Sequence, residues 1–381
     1  MAPLKNSRQR LKARLGRVRR LIGFIEETQN GSYLRRQEAI TRQIFPEDYI
    51  ELLKEVDKRD SRFQNYFHGD VRYQYRESRY GKKQFTVFTP SAFHIYMQAS
   101  IDSEVVLWSD RVKNNSDNTV QVRTAVDRIQ VARETSIKTD NKLLRPDCSF
   151  RYIRSKGYPP VAFVIAWSQT TDALKKRAIE LIQESAGGIR TVVALDFSET
   201  HKIWTAIWDR GGTEEFPDRG PATGFMWRAM FEENGEQIFD TDGSPSLQEK
   251  SCRFCDDDDD DDDDDVHAKP SAALQLSLKD FIPLPVIKAE NWDGLEALSD
   301  TKLDFDSVRI ARYLNEALDA QKQEDEGRRP KRERKARENT KAKQEREAKK
   351  KAAAEEERGH RPILDMVNIG GHSLRRGVRS N

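Results

Sequence analysis

Between Pro159-Pro160 and Ser168-Gln169 the chain runs Val161-Ala162-Phe163-Val164-Ile165-Ala166-Trp167 without a polar side chain. An apolar run of this length, bounded by turn residues, reads as a strand buried on both faces. The next segment narrows the choice further. Asp172 to Ser185 carries Leu174, Ala178 and Leu181 as an apolar stripe and is ended by Gly187-Gly188, the pattern of a helix with a glycine stop. Arg190 to Leu195 is then a second apolar, β-prone run. Strand, helix and strand in this order require a crossover and a parallel pair, because tight hairpins join only antiparallel strands. The expected fold class is therefore α/β, with a central mixed sheet flanked by helices. Cys148 to Ile153, Ile203 to Trp208 and Phe225 to Phe231 read as further strands.

Strand geometry of period two puts Val161, Phe163, Ile165 and Trp167 on one face, and Ala162, Val164, Ala166 and Ser168 on the other. On the helix after this strand, Asp172, Lys176, Glu180 and Glu184 are spaced by four, the pattern of a solvated polar stripe.

Upstream, residues 1–30 form a basic amphipathic helix, with Leu11, Leu15, Val18, Ile22 and Ile25 at helical spacing among many arginines. Three roles fit it: a first helix packed on the domain with its charges solvated, a basic arm for nucleic acid, or an Arg-rich, acid-poor presequence. Residues 31–66 read as helical with a break near Pro46, where Glu47 and Asp48 suit the positive end of a new helix. Gln84 to Phe88 reads as a short strand and Pro90 as the opening of a helix through Met97, while Val105 to Trp108 suits either type. The boundaries expected are an α/β domain over 31–245 with its core at 144–231, an acidic linker at 246–271, a segment at 272–297 returning to the domain, and a charged tail at 298–381. The return segment is marked by the alternation Leu274-Gln275-Leu276-Ser277-Leu278. The linker and tail carry too few apolar residues for a core, so the insertion reads as disordered and the tail as a solvated helix or disorder.

Charge is segregated along the chain. The net charge is only +2, yet residues 256–265 are all aspartate and 328–351 is dominated by lysine and arginine, so partners follow from these blocks rather than from the total. Three cysteines fit a reducing compartment better than a disulfide framework. Cys252-x-x-Cys255 is half of a zinc spacing, with His267 a conceivable third ligand and no fourth. No segment has the hydrophobic length of a membrane span. The expectation is an intracellular protein without a membrane partner, and the basic tail favours the nucleus over the cytoplasm.

The motif closest to chemistry is Arg145-Pro146-Asp147-Cys148-Ser149-Phe150, succeeded by the buried strand ending in Trp167-Ser168-Gln169, a helix, and a strand closing in Leu195-Asp196. In this order and spacing, residues 144 to about 208 resemble the PD-(D/E)xK restriction-endonuclease-like superfamily, in particular its fungal and bacterial members with a Pro-Asp-x-Ser-Phe strand and a second strand ending Tyr/Trp-Ser-Gln. The resemblance implies a restriction-endonuclease-like core, a divalent metal (Mg2+ or Mn2+) on Asp147, and Gln169 at roughly the polar position that better-known members fill with lysine, beside Ser168. It also implies a second acidic ligand on the second strand, where this chain has Val164. An isopropyl group can neither ligate a cation nor polarise water, so metal binding would be weak unless another carboxylate takes over. Asp196 is the best candidate for that, with Asp172, Glu180 and Glu184 behind it. Ser168 also suits the N-cap of the helix.

Two functions remain in view. One is a nucleic-acid-binding protein, DNA favoured over RNA, with degenerate or weakened metal-dependent phosphodiesterase activity. The other is an interaction protein that uses the nuclease-like core as a scaffold and the charged tail to recruit protein partners.

Overall fold

A computed structural model describes residues 7–30, 39–77, 83–88, 91–132, 135–138, 142–153, 155, 157–209, 221–232, 236–254, 273–292 and 295–359. The chain divides into two compact units, Met1–Asp325 and Glu326–Asn381. In chain order the elements are α1 (Ser7–Gln29), β1 (Ala39–Ile44), α2 (Pro46–Asp57), α3 (Ser61–Asn65), β2 (Arg72–Glu77), β3 (Lys83–Phe88), α4 (Ala92–Asn114), α5 (Val120–Asp127), β4 (Ile129–Val131), β5 (Ile137–Lys138), β6 (Lys142–Leu144) and β7 (Cys148–Tyr152). They continue with β8 (Val161–Ala166), α6 (Thr171–Glu184), β9 (Thr191–Asp196), α7 (Ser198–Asp209), β10 (Ala222–Ala229), β11 (Leu247–Phe254), β12 (Ala273–Ser277), α8 (Leu284–Ala289), α9 (Glu296–Asp300), β13 (Lys302–Asp306) and α10 (Ser307–Gly359).

The central sheet has the order β11-β10-β9-β8-β7-β4. Only β8 and β9 run parallel within it, joined through α6, as a strand-helix-strand reading requires. The two faces of β8 divide as its alternation predicts. Val161, Phe163, Ile165 and Trp167 enter the large core with α4, β12, β13 and the start of α10, whereas Ala162, Val164 and Ala166 pack under Leu174, Ala178 and Leu181 of α6. The end of α6 turns through Ala186 and Gly187, both at positive φ (50° and 73°). Glycine is favoured at such a turn, and here a side chain would also meet Gln237 at 2.9 Å.

The amino-terminal elements build a second, antiparallel sheet in the order β1-β3-β2-β6-β5. Val18, Leu21, Ile22 and Ile25 of α1 are buried in its core with Leu52, Val56 and Phe85. α1 thus packs on the domain, but its charges are not all solvated. Arg17 forks onto the fully buried Asp48 of α2 at 2.7 and 2.9 Å, and Asp48 also accepts from the Phe45 N–H at 2.9 Å. Residues 39–44 are a strand, not part of a helix. Ile40 and Ile44 are buried, the Thr41 hydroxyl meets that of Thr86 across the ladder at 2.8 Å, and β-branched side chains fit such a pleated surface better than a helix.

Ile203–Trp208 is likewise inside a helix, α7, rather than a strand. Thr200, Ile203, Trp204 and Ile207 recur at helical spacing, and Thr200 and Trp204 are buried on that side. Val105–Trp108 lies within α4, which runs on to Asn114. The expected acidic linker starts later than residue 246, because β11 forms the edge of the central sheet; the aspartate run, Cys255 and His267 fall outside the described residues. β12 returns with Leu274 and Leu276 buried and pairs with β13, so part of the expected tail belongs to the fold. Ile310, Tyr313, Leu314 and Ala317 of α10 complete the large core. Further along α10, Gln321 and Glu324 accept from the Phe93 and Ala92 N–H groups at the start of α4 (3.2 and 2.9 Å). No described helix is long and apolar enough to cross a membrane.

Candidate site at the carboxyl end of the central strands

β7 and β8 pair with Cys148 opposite Phe163 and Phe150 opposite Val161. The regular register ends at Cys148, and Asp147 also lies against Phe163 rather than continuing the ladder. The Asp147 N–H donates to the Phe163 carbonyl at 2.8 Å, and the chain then leaves the ladder at Pro146, which has no N–H to offer. Without a strand beyond that point, the Ile165 N–H and C=O on this edge would be orphaned, a costly state for buried backbone groups. Two side chains satisfy them instead. Asp147 Oδ2 accepts from the Ile165 N–H at 2.7 Å, and His94 Nε2, from α4, donates to the Ile165 carbonyl at 3.1 Å. Asp147 and His94 extend the sheet by one side-chain rung.

The carboxylate has a second partner. Arg177 of α6 reaches Asp147 Oδ2 from Nη1 at 3.2 Å and Oδ1 from Nη2 at 3.4 Å, and Nη2 donates to the Arg145 carbonyl at 2.7 Å. The two side chains are only 10% and 5% exposed. A buried carboxylate is tolerated when it is paired and its lone pairs are filled, and a planar guanidinium does both. Arg177 left a signal in the sequence: at 3.6 residues per turn it borders the apolar stripe of Leu174, Ala178 and Leu181, where a charge at the edge of the core needs a partner.

Asp196 lies elsewhere. Opposite Ala166 in the parallel ladder, it accepts from the Thr171 hydroxyl at 2.6 Å and from the Ser198 N–H at 2.9 Å, joining the starts of α6 and α7. Two strand spacings and an offset of at least two residues separate it from Asp147, at least about 12 Å between Cα atoms. Ser168 is exposed and Gln169 half-buried in the turn after β8. The N-cap of α6 is Thr170, which accepts from the Ala173 N–H at 3.3 Å; Ser168 does not take that role. Asp172 and Lys176 are exposed, and Glu180 and Glu184 are half-buried.

This donor set does not fit a divalent cation. Both oxygens of Asp147 face N–H donors, Val164 is fully buried in the apolar layer under α6, and Asp196 is not beside them. Among the described residues, no group of three or more His, Cys, Asp or Glu side chains is placed to hold a metal. Cys252 is half-buried, and burial pushes its thiol up to about 11, away from the thiolate form that zinc binds. Compared with known protein families, curated proteins and solved structures, the chain matches none.

Proposed function

We propose that this chain is a restriction-endonuclease-like protein that binds nucleic acid and has lost phosphodiester cleavage. One observation carries the reading: the aspartate at the mouth of β7 is buried and neutralised by an arginine from α6. Hydrolysis at a site of this kind depends on a metal, held by carboxylates, that activates water. Here the guanidinium occupies the ground on which a cation would meet Asp147. The α/β topology, with an antiparallel β7/β8 pair leading through a helix into a parallel strand, supports the choice of superfamily.

Plasmid nicking in Mg2+ or Mn2+ tests the loss of cleavage. The wild type and Asp147→Ala are expected to be equally inactive, because Arg177 already holds the face of Asp147 that a cation would need. Nicking by the wild type that Asp147→Ala abolishes would overturn the proposal.

A further inference from the structure

The second compact unit begins within α10, whose helix runs on to Gly359. Residues 326–359 contain no Val, Ile, Leu, Met, Cys or aromatic residue, so nothing in this stretch can form an apolar seam. Helical order has a local source in its place. Arg334 and Glu338 pair at i,i+4 across 3.7 Å, and Lys341/Glu345, Lys343/Glu347, Glu345/Lys349 and Glu347/Lys351 repeat the spacing, each such pair adding about 0.2–0.5 kcal/mol.

The charges are not spread evenly around the helix. Residues 328–351 hold thirteen basic residues against four acidic ones. Beyond Pro330, which removes an i→i−4 hydrogen bond inside α10, positions 332, 335, 343, 346 and 350, all Arg or Lys, fall within about a third of the circumference at 3.6 residues per turn. Glu333, Glu338, Glu345 and Glu347 all fall outside that arc. Lys343, Arg346 and Lys350 on it are exposed, as are Arg334, Lys341 and Lys349 on the mixed side. The stripe is about 27 Å long at 1.5 Å per residue, most of one turn of a B-form duplex, about 34 Å.

We propose that this stripe is a docking surface for double-helical nucleic acid, bound through its phosphates without reading of bases. Charge complementarity favours a polyanion, and the missing side chains narrow the class. Single strands are held largely by stacking on aromatic residues, and 326–359 has none. Helices that lie on membranes bury an apolar face, which this stretch does not have, and protein interfaces are anchored by Trp and Tyr together with Arg, of which it offers the arginine alone. A duplex needs only a row of cations. Docking of this kind rests on the nucleic-acid half of the function proposed above and is independent of the state of Asp147.

The test uses the full chain and a short DNA duplex of mixed sequence, with affinity measured against salt. Lys343→Gln/Arg346→Gln/Lys350→Gln is expected to weaken binding about 100-fold at physiological salt and to reduce the slope of log K against log salt by about 2.7, the amount set by three lost phosphate contacts. Arg334→Gln/Lys341→Gln/Lys349→Gln removes the same charge from the mixed side and is expected to cost less than about fivefold on the same reasoning. Equal losses in the two triple variants, or no loss in either, would overturn the stripe. Equal or tighter binding of the matching single strand, or of anionic lipid vesicles, would overturn the choice of a duplex. Absence of duplex binding by the wild type would remove this surface together with the nucleic-acid half of the proposed function, whereas the nicking result bears on cleavage alone.

Discussion

Replacing Arg177 by methionine keeps much of the side chain's volume and removes the charge facing Asp147. The carboxylate then retains the Ile165 N–H at 2.7 Å and loses both guanidinium contacts, at 3.2 and 3.4 Å. The Arg145 carbonyl loses a donor at 2.7 Å as well. With the pair only 10% and 5% exposed, solvent compensates little, and a buried pair broken from one side costs about 3–5 kcal/mol. Asn in place of Asp147 still accepts from the Ile165 N–H, so Asp147→Asn/Arg177→Met leaves no buried charge and is expected to cost only about 1–2 kcal/mol. The double variant is therefore more stable than Arg177→Met alone, and a double-mutant cycle gives a coupling of at least about 2 kcal/mol. Urea unfolding of the full chain, monitored by its tryptophan emission, to which Trp167 stacked on Phe93 contributes, reads these differences. A cost below about 1 kcal/mol for Arg177→Met, or strict additivity in the cycle, would refute the assignment of Asp147 to the framework of the sheet.

Two further perturbations probe the frame around the site. Burial pushes the Asp280 carboxyl up, but bonds from Arg228 and Ser277 outweigh it and hold the group below its ordinary value. A carboxylate depressed in the fold contributes stability above its unfolded value, about 3.9, and loses it as pH falls through the folded one. The urea midpoint should therefore drop below about pH 4 and drop less in Asp280→Asn; equal slopes in the two proteins would refute this. At Gly224 a Cβ would lie 2.5 Å from the Phe254 ring and 2.6 Å from Leu274. Gly224→Ala should cost about 1–3 kcal/mol by overpacking, and an unchanged midpoint would show that β12 is not pressed against β10 there.

Much of the central sheet was legible because β8 is long, apolar and bounded. Its two faces followed from alternation alone, and the glycines after α6 marked the helix end. Shorter segments were decided by packing. Ile203–Trp208 has β-prone residues, yet Thr200, Ile203, Trp204 and Ile207 share one helical side, and the core selected that period. Residues 39–44 became a strand because β3 was there to pair with them. At the candidate site, local sequence exposed the suspicious valine and the aspartate after proline. It did not expose the partners of that aspartate, because Ile165, Arg177 and Arg145 meet it only through tertiary packing, although a charge bordering the α6 stripe was a signal that one was needed.

The rung made by Asp147 and His94 has a consequence for how such chains are judged. An acidic side chain that closes the edge of a sheet is retained by the demands of folding whether or not it ever touches a substrate. The aspartate after Pro146 is accounted for by closing the edge of β8, and its presence alone does not mark a catalytic site.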